Sequence, residues 1–239
     1  MNTGWEEFAA RAAALGAPLS AAQLAQFAAY AALLLAWTER IALTAIREPR
    51  QIRIRHFLDA LSCAAATGPL DGRRLIDVGS GAGLPGLPLK ILYPDLRLTL
   101  VDSVAKKARF LEVVAAELGL RDVVVIADRA ETLGQDAAHR EGYDWAVARA
   151  VAELRVLAEL LLPLVRVGGR VLAQKGESAA EELAAAGPAI AALGGGAAQL
   201  SPIRLPETEA THYLVTIDKT AATDPRFPRR AGMPAKRPI

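Results

Sequence analysis

The stretch Leu75-Ile-Asp-Val-Gly-Ser-Gly-Ala-Gly-Leu-Pro-Gly86 joins a short apolar run to three alternate glycines and then to a proline. The apolar run 75–78 is typical of a strand that is buried on both faces of a parallel sheet. Glycines adopt positive φ and let a ligand approach the backbone, and a proline suits the first turn of the helix that follows. Because a helix N-terminus presents free N–H groups and a partial positive charge, the sequence predicts an anionic ligand at this turn.

A carboxylate follows the next predicted strand, 96–101. Asp102 lies about twenty residues after the glycines, the spacing at which a βαβ unit places an acceptor beside the hydroxyls of a bound ribose. The glycines also match the Gly-x-Gly-x-x-Gly fingerprint of dinucleotide-binding proteins, but only if the fingerprint starts at Gly81, which places Pro85 inside the motif. Asp77, two positions before the first glycine, instead resembles the first motif of methyltransferases that use S-adenosyl-L-methionine (AdoMet) on a seven-stranded Rossmann-like fold. A dinucleotide enzyme and a turn that binds nothing remain the alternatives.

The composition is that of a globular chain. With 239 residues and 52% hydrophobic content, the chain can bury one full core with a helical extension. The first residues include Glu6 and Glu7 and no basic cluster, so no secretory signal is expected, and the apolar stretch 27–37 is too short to span a bilayer. Cys63 is the only cysteine, which excludes an internal disulfide and favours a reducing cytoplasm. The histidines lie far apart and join no cysteine pair, so no metal site is expected.

Basic residues are concentrated in two segments, although the net charge is only +2. One cluster contains Arg40, Arg47, Arg50, Arg53 and Arg55, and the other contains Arg226, Arg229, Arg230, Lys236 and Arg237. Two basic clusters beside a near-neutral core predict contact with phosphates. Solvated charge on a helix and on a frayed end is the alternative.

The hydrophobic pattern divides the chain into three parts. We expect an N-terminal helical extension packed on the core over 1–70, an α/β core over 71–220 and a basic tail over 221–239, irregular from 224 onward. Helices are predicted over 5–15, 20–37 and 48–66. From residue 74 predicted strands and helices alternate, which implies a parallel doubly wound sheet. The last two strands, 199–205 and 212–218, must run antiparallel because their connection is short.

Ligands of open α/β sheets bind outside the carboxyl ends of the strands. Arg149 ends the fourth predicted strand, and a guanidinium there needs an anionic partner, either a bound carboxylate or phosphate or else Asp144 or Glu153. Lys175 follows the fifth strand and contacts either RNA phosphate or solvent.

Two other groups of residues each have a functional and a structural interpretation. Residues 128–131 follow the third strand, where side-chain oxygens and main-chain N–H groups can meet an adenine edge, or where Glu131 simply begins the next helix. His56 and Asp59 share a helix face and form either a proton-transfer pair or packing contacts.

Missing motifs narrow the chemistry of the acceptor. No Asp/Asn-Pro-Pro-Tyr/Phe sequence follows the fourth strand, so the usual acceptors for an exocyclic amine are absent. Cys63 lies in the helical extension, which disfavours cytosine C5 chemistry through a cysteine nucleophile. Guanine N7 carries an exposed lone pair and no proton, so its methylation needs orientation and proximity but no general base.

Several motifs occur together in the order typical of one family. They are Leu43-Thr-Ala-Ile46, Arg55-His-Phe-Leu-Asp59, the stretch 77–86, Asp102-Ser103, Arg129-Ala-Glu131, Arg149-Ala-Val-Ala152 and Pro228-Arg-Arg-Ala-Gly-Met-Pro-Ala-Lys236. Over nearly the whole chain they resemble the bacterial small-subunit ribosomal RNA guanine-N7 methyltransferases, also called glucose-inhibited division protein B. The resemblance implies a class I AdoMet-dependent methyltransferase with a seven-stranded, mostly parallel sheet whose last strand is antiparallel. It also implies methylation of guanine N7 in a loop of 16S rRNA near the decoding site.

The resemblance also implies site residues and partners. AdoMet contacts would be Gly79, Leu84, Asp102, Ser103, Val104, Ala130, Glu131 and Arg149, and the family supplies no catalytic base. Candidates for RNA contact are Arg53, Arg55, His56, Lys175, Arg229, Arg230 and Lys236. The expected partner is 16S rRNA or the small ribosomal subunit in the cytoplasm, with neither membrane nor metal. Ala148 stands where the family often has a hydroxyl residue, and Ala231 and Met233 vary the tail motif. A dinucleotide-dependent oxidoreductase and a non-catalytic RNA-binding protein remain the alternative functions.

Overall fold

The protein is described by a computed structural model that covers residues 3–208 and 211–239. Within these residues seven strands form one sheet in the order β3-β2-β1-β4-β5-β7-β6. The strands are β1 Arg74–Val78, β2 Arg97–Val101, β3 Val123–Ile126, β4 Tyr143–Arg149, β5 Val165–Lys175, β6 Gly195–Ile203 and β7 His212–Lys219. β7 runs antiparallel to β5 and β6, and β1 to β5 pair in parallel. The expected mixed sheet with an antiparallel last strand is confirmed.

Helices cover both faces of the sheet. They are α1 Thr3–Ala14, α2 Ala21–Thr38, α3 Pro49–Ile52, α4 Asp59–Leu61, α5 Ala64–Thr67, α6 Gly86–Leu92, α7 Ala105–Glu117, α8 Ala130–Gln135, α9 Leu154–Leu161, α10 Ala179–Ala192 and α11 Met233–Lys236. A π-helical turn, Arg53–Leu58, lies between α3 and α4, and a 3-10 turn, Leu162–Leu164, follows α9. The predicted alternation of strands and helices is therefore observed from β1 to α10.

The strands separate two hydrophobic cores because successive side chains point to opposite faces. Leu75 of β1 packs in the first core together with α1, α2, α6 and α7, and the next residue, Ile76, packs in the second core with α8, α9 and α10. Three aromatic rings, Phe8, Phe27 and Phe57, tie the N-terminal helices to the first core, with ring centroids 5.2 and 5.1 Å apart for the pairs 8–27 and 27–57. The N-terminal segment thus shares its core with one face of the sheet.

α2 is the one described helix that is long and apolar enough to cross a membrane by length and composition. Its Phe27, Tyr30 and Leu34 side chains are completely buried in the first core. The helix therefore packs one face against the first core.

The segment 49–67 differs from the single helix that the pattern predicts. Its middle part is the π-helical turn, in which Ile54, His56, Phe57 and Leu58 are all buried. A π turn inserts an extra residue into a helix and re-aims the side chains that follow it. His56, within this turn, and Asp59, directly after it, both line a cavity at the carboxyl edge of the sheet.

Candidate active site

The glycine turn after β1 depends on backbone conformations that other residues rarely adopt. Gly79, Gly81 and Gly83 have φ values of 69°, 56° and 88°. A Cβ atom on Gly79 would lie 2.6 Å from Val151 Cγ2, and one on Gly83 would lie 2.3 Å from Leu87 Cδ1. At Gly81 the nearest atom to a Cβ would be 3.8 Å away, so open space faces the middle of the turn.

Asp102, at the end of β2, holds the glycine turn in place. Its Oδ2 accepts a hydrogen bond from Gly81 N at 2.9 Å, and its Oδ1 accepts one from Val104 N at 2.9 Å. A carboxylate oxygen has capacity for a further donor. Asp102 can therefore bridge the turn and the start of α7 while it accepts from the hydroxyls of a ribose.

Asp77 lies beneath the same turn and is completely buried. Its Oδ2 accepts from Gly86 N at 2.8 Å, whereas its Oδ1 is buried without a hydrogen-bond partner among the described residues. Burial disfavours the charged form and raises the pKa of Asp77 to about 7.

A small cavity of about 100 Å³ lies between the glycine turn and the third strand. Its lining includes Gly79, Ser103, Ala130 and Glu131, four of the residues predicted to contact AdoMet. Glu131 lies in the first turn of α8 and is mostly buried, and its Oε1 accepts from Gly232 N at 2.8 Å. The tail of the chain thus reaches this side of the site. Two other predicted contact residues differ in exposure, since Leu84 is buried and Val104 is exposed.

A larger cavity of about 330 Å³ lies on the other side of Arg149 and is called the edge cavity below. Asp59 is central to it, with Oδ2 accepting from Arg149 Nη1 at 2.9 Å and Oδ1 lying 2.9 Å from His212 Nδ1. Arg149 therefore pairs with Asp59, and neither Asp144 nor Glu153 is its partner. The hydrogen bond to Asp59 raises the pKa of His212 above its ordinary value.

Two further polar residues of the edge cavity, His56 and Lys175, have partners of their own. His56 Nε2 lies 2.7 Å from Thr44 Oγ1, and burial together with Arg149 lowers the pKa of His56 to about 4. Lys175 Nζ lies 2.6 Å from Glu182 Oε2, so its charge is compensated. His56 and Asp59 share a cavity wall, but no direct hydrogen bond joins them.

The predicted RNA-contact residues have different surroundings. Arg53 stacks over the Trp5 ring at 5.3 Å, and Arg229 donates two side-chain hydrogen bonds to the buried Glu159. Arg55 and Arg230 are exposed. Lys236 is exposed as well, on α11. The basic cluster of the tail therefore contains structural and solvent-facing members.

Sequence reasoning did not single out His212 or Gln174, which both line the edge cavity. A usable signal existed for His212. It is the first residue of the predicted antiparallel strand, and an antiparallel strand begins at the edge where its parallel neighbours end.

No group of three or more His, Cys, Asp or Glu side chains within 3–208 and 211–239 is arranged to hold a metal ion.

Solved structures with this architecture define the class of protein. A mutant 16S rRNA (adenine(1408)-N(1))-methyltransferase from Catenulisporales acidiphilia matches 65% of this chain and 88% of its own, with TM-score 0.54 and 19% identity. A predicted O-methyltransferase from Agrobacterium tumefaciens matches 69% and 83%, with TM-score 0.54 and 20% identity. The fold is therefore that of the class I AdoMet-dependent methyltransferases.

The sequence comparison identifies the family within that class. The model of the GidB family, rRNA small subunit methyltransferase G, matches residues 23–205. The "Ribosomal RNA small subunit methyltransferase G" of Roseiflexus castenholzii is 53% identical over 94% of this chain and 95% of its own length. The protein of the same name from Chloroflexus aggregans is 50% identical over 95% and 94%. The chain belongs to the rRNA small subunit methyltransferase G family. It is a methyltransferase that uses AdoMet, and these matches favour neither an oxidoreductase nor a non-catalytic protein.

The glycine turn fits AdoMet. The open space at Gly81 would be filled by a side chain at any other residue, and the Asp102 carboxylate has acceptor capacity for a ribose diol. The three glycines leave the backbone accessible at the start of α6, as a ligand bound close to the main chain requires.

Proposed function

We propose that this chain transfers the methyl group of AdoMet to N7 of a guanine in small-subunit ribosomal RNA, in the cytoplasm. The observation that carries the proposal is the edge cavity, which lies at the carboxyl edge of the sheet and is lined in part by Arg149. Its volume of about 330 Å³ is in the range of ligand pockets. Its walls carry hydrogen-bonding groups suited to a nucleobase. The names of the two related proteins support small-subunit ribosomal RNA as the substrate.

The surroundings of the edge cavity agree with a reaction that needs no general base. AdoMet supplies an electrophilic methyl group, and guanine N7 supplies a lone pair without a proton to remove. The titratable groups of the edge cavity are engaged with one another, as in the Asp59–Arg149 and Lys175–Glu182 pairs. We infer that the protein acts by holding donor and acceptor in line.

The proposal is tested by labelled-methyl transfer from AdoMet to small subunits that lack the modification, followed by borohydride and aniline cleavage. That treatment cuts RNA at N7-methylguanine. We expect incorporation of label and cleavage at one position, and no incorporation into subunits that already carry the methyl group. Label without cleavage would place the methyl group on another atom and contradict the proposal.

The proposed cofactor contact of Asp102 has its own test. Asp102→Ala removes the acceptor for the ribose and both hydrogen bonds to the turn, so we expect the Kd for AdoMet to rise by about tenfold or more. Asp102→Asn keeps one oxygen acceptor and should lose less affinity. Calorimetric titration measures both, with Asp95→Ala as the control because Asp95 is exposed at the opposite edge of the sheet. An unchanged Kd in Asp102→Ala would refute the ribose assignment.

A further inference from the structure

Gln174 carries an acceptor that the protein itself leaves without a donor. Its Nε2 donates to the main-chain oxygen of Asp59 at 2.8 Å, and this contact orients the amide because a carbonyl oxygen can only accept. Its Oε1 is buried and has no hydrogen-bond partner among the described residues. The residue is only 7% exposed, yet it lines the edge cavity. Buried acceptors without partners are uncommon in folded proteins and call for an explanation.

The position of Gln174 places this acceptor at the carboxyl edge. On β5 it pairs in register with Arg149 of β4 on one side and with Leu214 of β7 on the other. Strand pairing therefore fixes the backbone of Gln174, and the Asp59 main-chain oxygen fixes its side-chain amide. A group fixed in this way is oriented before a ligand arrives.

The carboxylate oxygens of the edge cavity are already engaged. The two Asp59 oxygens contact Arg149 and His212, and Glu182 receives hydrogen bonds from Lys175, Ser178 and Leu154 N. Among the residues lining this cavity, Gln174 Oε1 is thus the side-chain oxygen that lacks a donor within the described part of the chain. A ligand that satisfies it must bring an N–H or O–H group.

We propose that the edge cavity binds the target guanine and that Gln174 Oε1 accepts a hydrogen bond from N1–H or the N2 amino group of its Watson–Crick edge. The inference rests on the proposed function. N1–H and the N2 amino group lie on a different edge of the base from N7, so they stay available to the cavity wall while N7 faces the methyl donor. Enzymes that act on an extruded base read this edge by hydrogen bonds. Adenine presents an acceptor at N1, so Gln174 is a specificity-determining residue.

The proposed methyl transfer gives a further reason for a hydrogen-bond acceptor at the position of Gln174. The bond between the methyl carbon and sulfur breaks while the bond between the methyl carbon and N7 forms, and no proton is transferred. The positive charge moves from the sulfonium to the base, which makes N1–H a stronger donor. A hydrogen bond that strengthens as charge develops stabilises the transition state more than the bound substrate.

Two substitutions of Gln174 distinguish the effect of its hydrogen-bond acceptor from the effect of its packing. Gln174→Met keeps an unbranched side chain of similar length but removes both amide groups. We expect kcat/KM for small subunits to fall by about tenfold or more, with the Kd for AdoMet unchanged within twofold. Gln199→Met is the matched control, since Gln199 is an exposed glutamine on β6, and it should leave both values unchanged.

Gln174→Glu provides a second measurement, the dependence of activity on pH. This dependence would not change if Gln174 had only a structural role. A protonated carboxyl reproduces the amide, because its O–H donates to Asp59 O and its carbonyl oxygen accepts from the base. The charged and titratable groups that line the cavity with it are Arg55, His56, Asp59, Arg149, Lys175, Glu182 and His212. Relative to wild type at each pH, activity of Gln174→Glu should be highest at acidic pH and fall as the carboxyl ionises. The same ratio for Gln174→Met should stay flat.

The outcomes distinguish this inference from the proposed function. If wild-type protein labels an atom other than N7, the proposed function fails before any variant is considered. If wild type methylates N7 while Gln174→Met keeps kcat/KM within twofold, the assignment of Gln174 is overturned. A rise in the Kd for AdoMet that matches the loss of activity would overturn it too, because the edge cavity would then hold part of the cofactor. The assignment of Gln174 would also be overturned if the activity of Gln174→Glu did not exceed that of Gln174→Met at any pH.

Discussion

Asp77 shows how a single residue links the sheet to the glycine turn. Its carboxyl is completely buried at the end of β1, and one of its oxygens orients the first N–H of α6 at Gly86. Desolvation is the main reason why its pKa rises to about 7, and the hydrogen bond from Gly86 opposes that rise. Near neutral pH this carboxyl is therefore close to the midpoint of its titration.

The raised pKa of Asp77 predicts a dependence of stability on pH. The folded state keeps a proton that the unfolded chain releases near pH 4, so the contribution of Asp77 is complete below that pH and is lost as pH rises toward about 7. Asp77→Asn keeps an oxygen acceptor for Gly86 N and cannot ionise. The free energy of unfolding of wild type should therefore fall relative to Asp77→Asn by about 1.4 kcal/mol per pH unit between roughly pH 4 and 7.

Urea unfolding of both proteins at several pH values measures this difference. Asp95→Asn, at an exposed site, should instead run parallel to wild type across the same range. Parallel curves for Asp77→Asn and wild type would mean that folding does not raise the pKa of Asp77.

At the same scale, the partner of Arg149 marks the limit of what the sequence predicts about the site. The sequence predicted that Arg149 would need an anion, but the anion is Asp59, 90 positions away. Hydrophobic periodicity predicts which side of a helix is buried, and it does not predict where that helix contacts the edge of the sheet. Asp77 and Asp102 were predictable as site residues because they belong to the same βαβ unit as the glycines.

At the scale of an element, substitutions in the glycine turn can distinguish an effect on packing from an effect on ligand access. Gly81→Ala places a Cβ in open space with φ at 56°, so we expect a loss of about 1 kcal/mol in the free energy of unfolding and a larger effect on AdoMet affinity. At Gly83 a Cβ would meet Leu87 Cδ1 at 2.3 Å and the Tyr30 hydroxyl at 2.9 Å. Gly83→Ala should therefore destabilise the fold by several times as much.

Urea unfolding and calorimetric titration with AdoMet test the two variants together. Gly16→Ala is the control for backbone strain alone, because Gly16 has φ of 78° and no atom within 4 Å of its Cβ position. Equal stability of the two turn variants would contradict the packing argument. An unchanged AdoMet affinity in Gly81→Ala would show that the open space does not face the cofactor.

The strands and most helices were predictable because their local patterns agree with the final sheet. Alternation of apolar runs and helical periods gave the order from β1 to α10, and the short connection before β7 required an antiparallel pair. The break in the segment 49–67 was not predictable, since the apolar spacing of that segment fits a regular helix. The π turn arises where Ile54, Phe57 and Leu58 are buried together, which is a property of tertiary packing.

For the whole molecule, the segment after β7 contributes to the fold although its sequence predicts an irregular tail. Arg140 donates to the main-chain oxygens of Thr223 and Phe227 at 2.7 and 2.6 Å, and Gly232 N contacts Glu131 on α8. These hydrogen bonds join side chains to the main chain. They require no periodic pattern of apolar residues, so the hydrophobic pattern of the sequence did not predict them. The tail therefore links the second core to the cavity predicted to hold adenine.

Arg229 and Arg230 are neighbours in this tail and should behave differently when they are replaced. Arg229 binds Glu159 through Nε and Nη2 at 2.8 and 2.6 Å, and the Glu159 side chain is only 1% exposed. Arg229→Met leaves that carboxylate buried without its cation, so we expect a loss of about 3 kcal/mol in the free energy of unfolding. Adding Glu159→Gln should recover much of the loss, because the uncompensated charge is then removed.

Arg230→Met is the matched variant, since Arg230 is exposed. We expect its free energy of unfolding to remain within about 0.5 kcal/mol of wild type. Its affinity for small-subunit RNA should fall, and the slope of log K against log salt should decrease by about one because one phosphate contact is lost. Urea unfolding and RNA binding at several salt concentrations measure both effects. Equal destabilisation by the two substitutions would refute the assignment of Arg229 to the core, and an unchanged salt slope in Arg230→Met would place the RNA away from the tail.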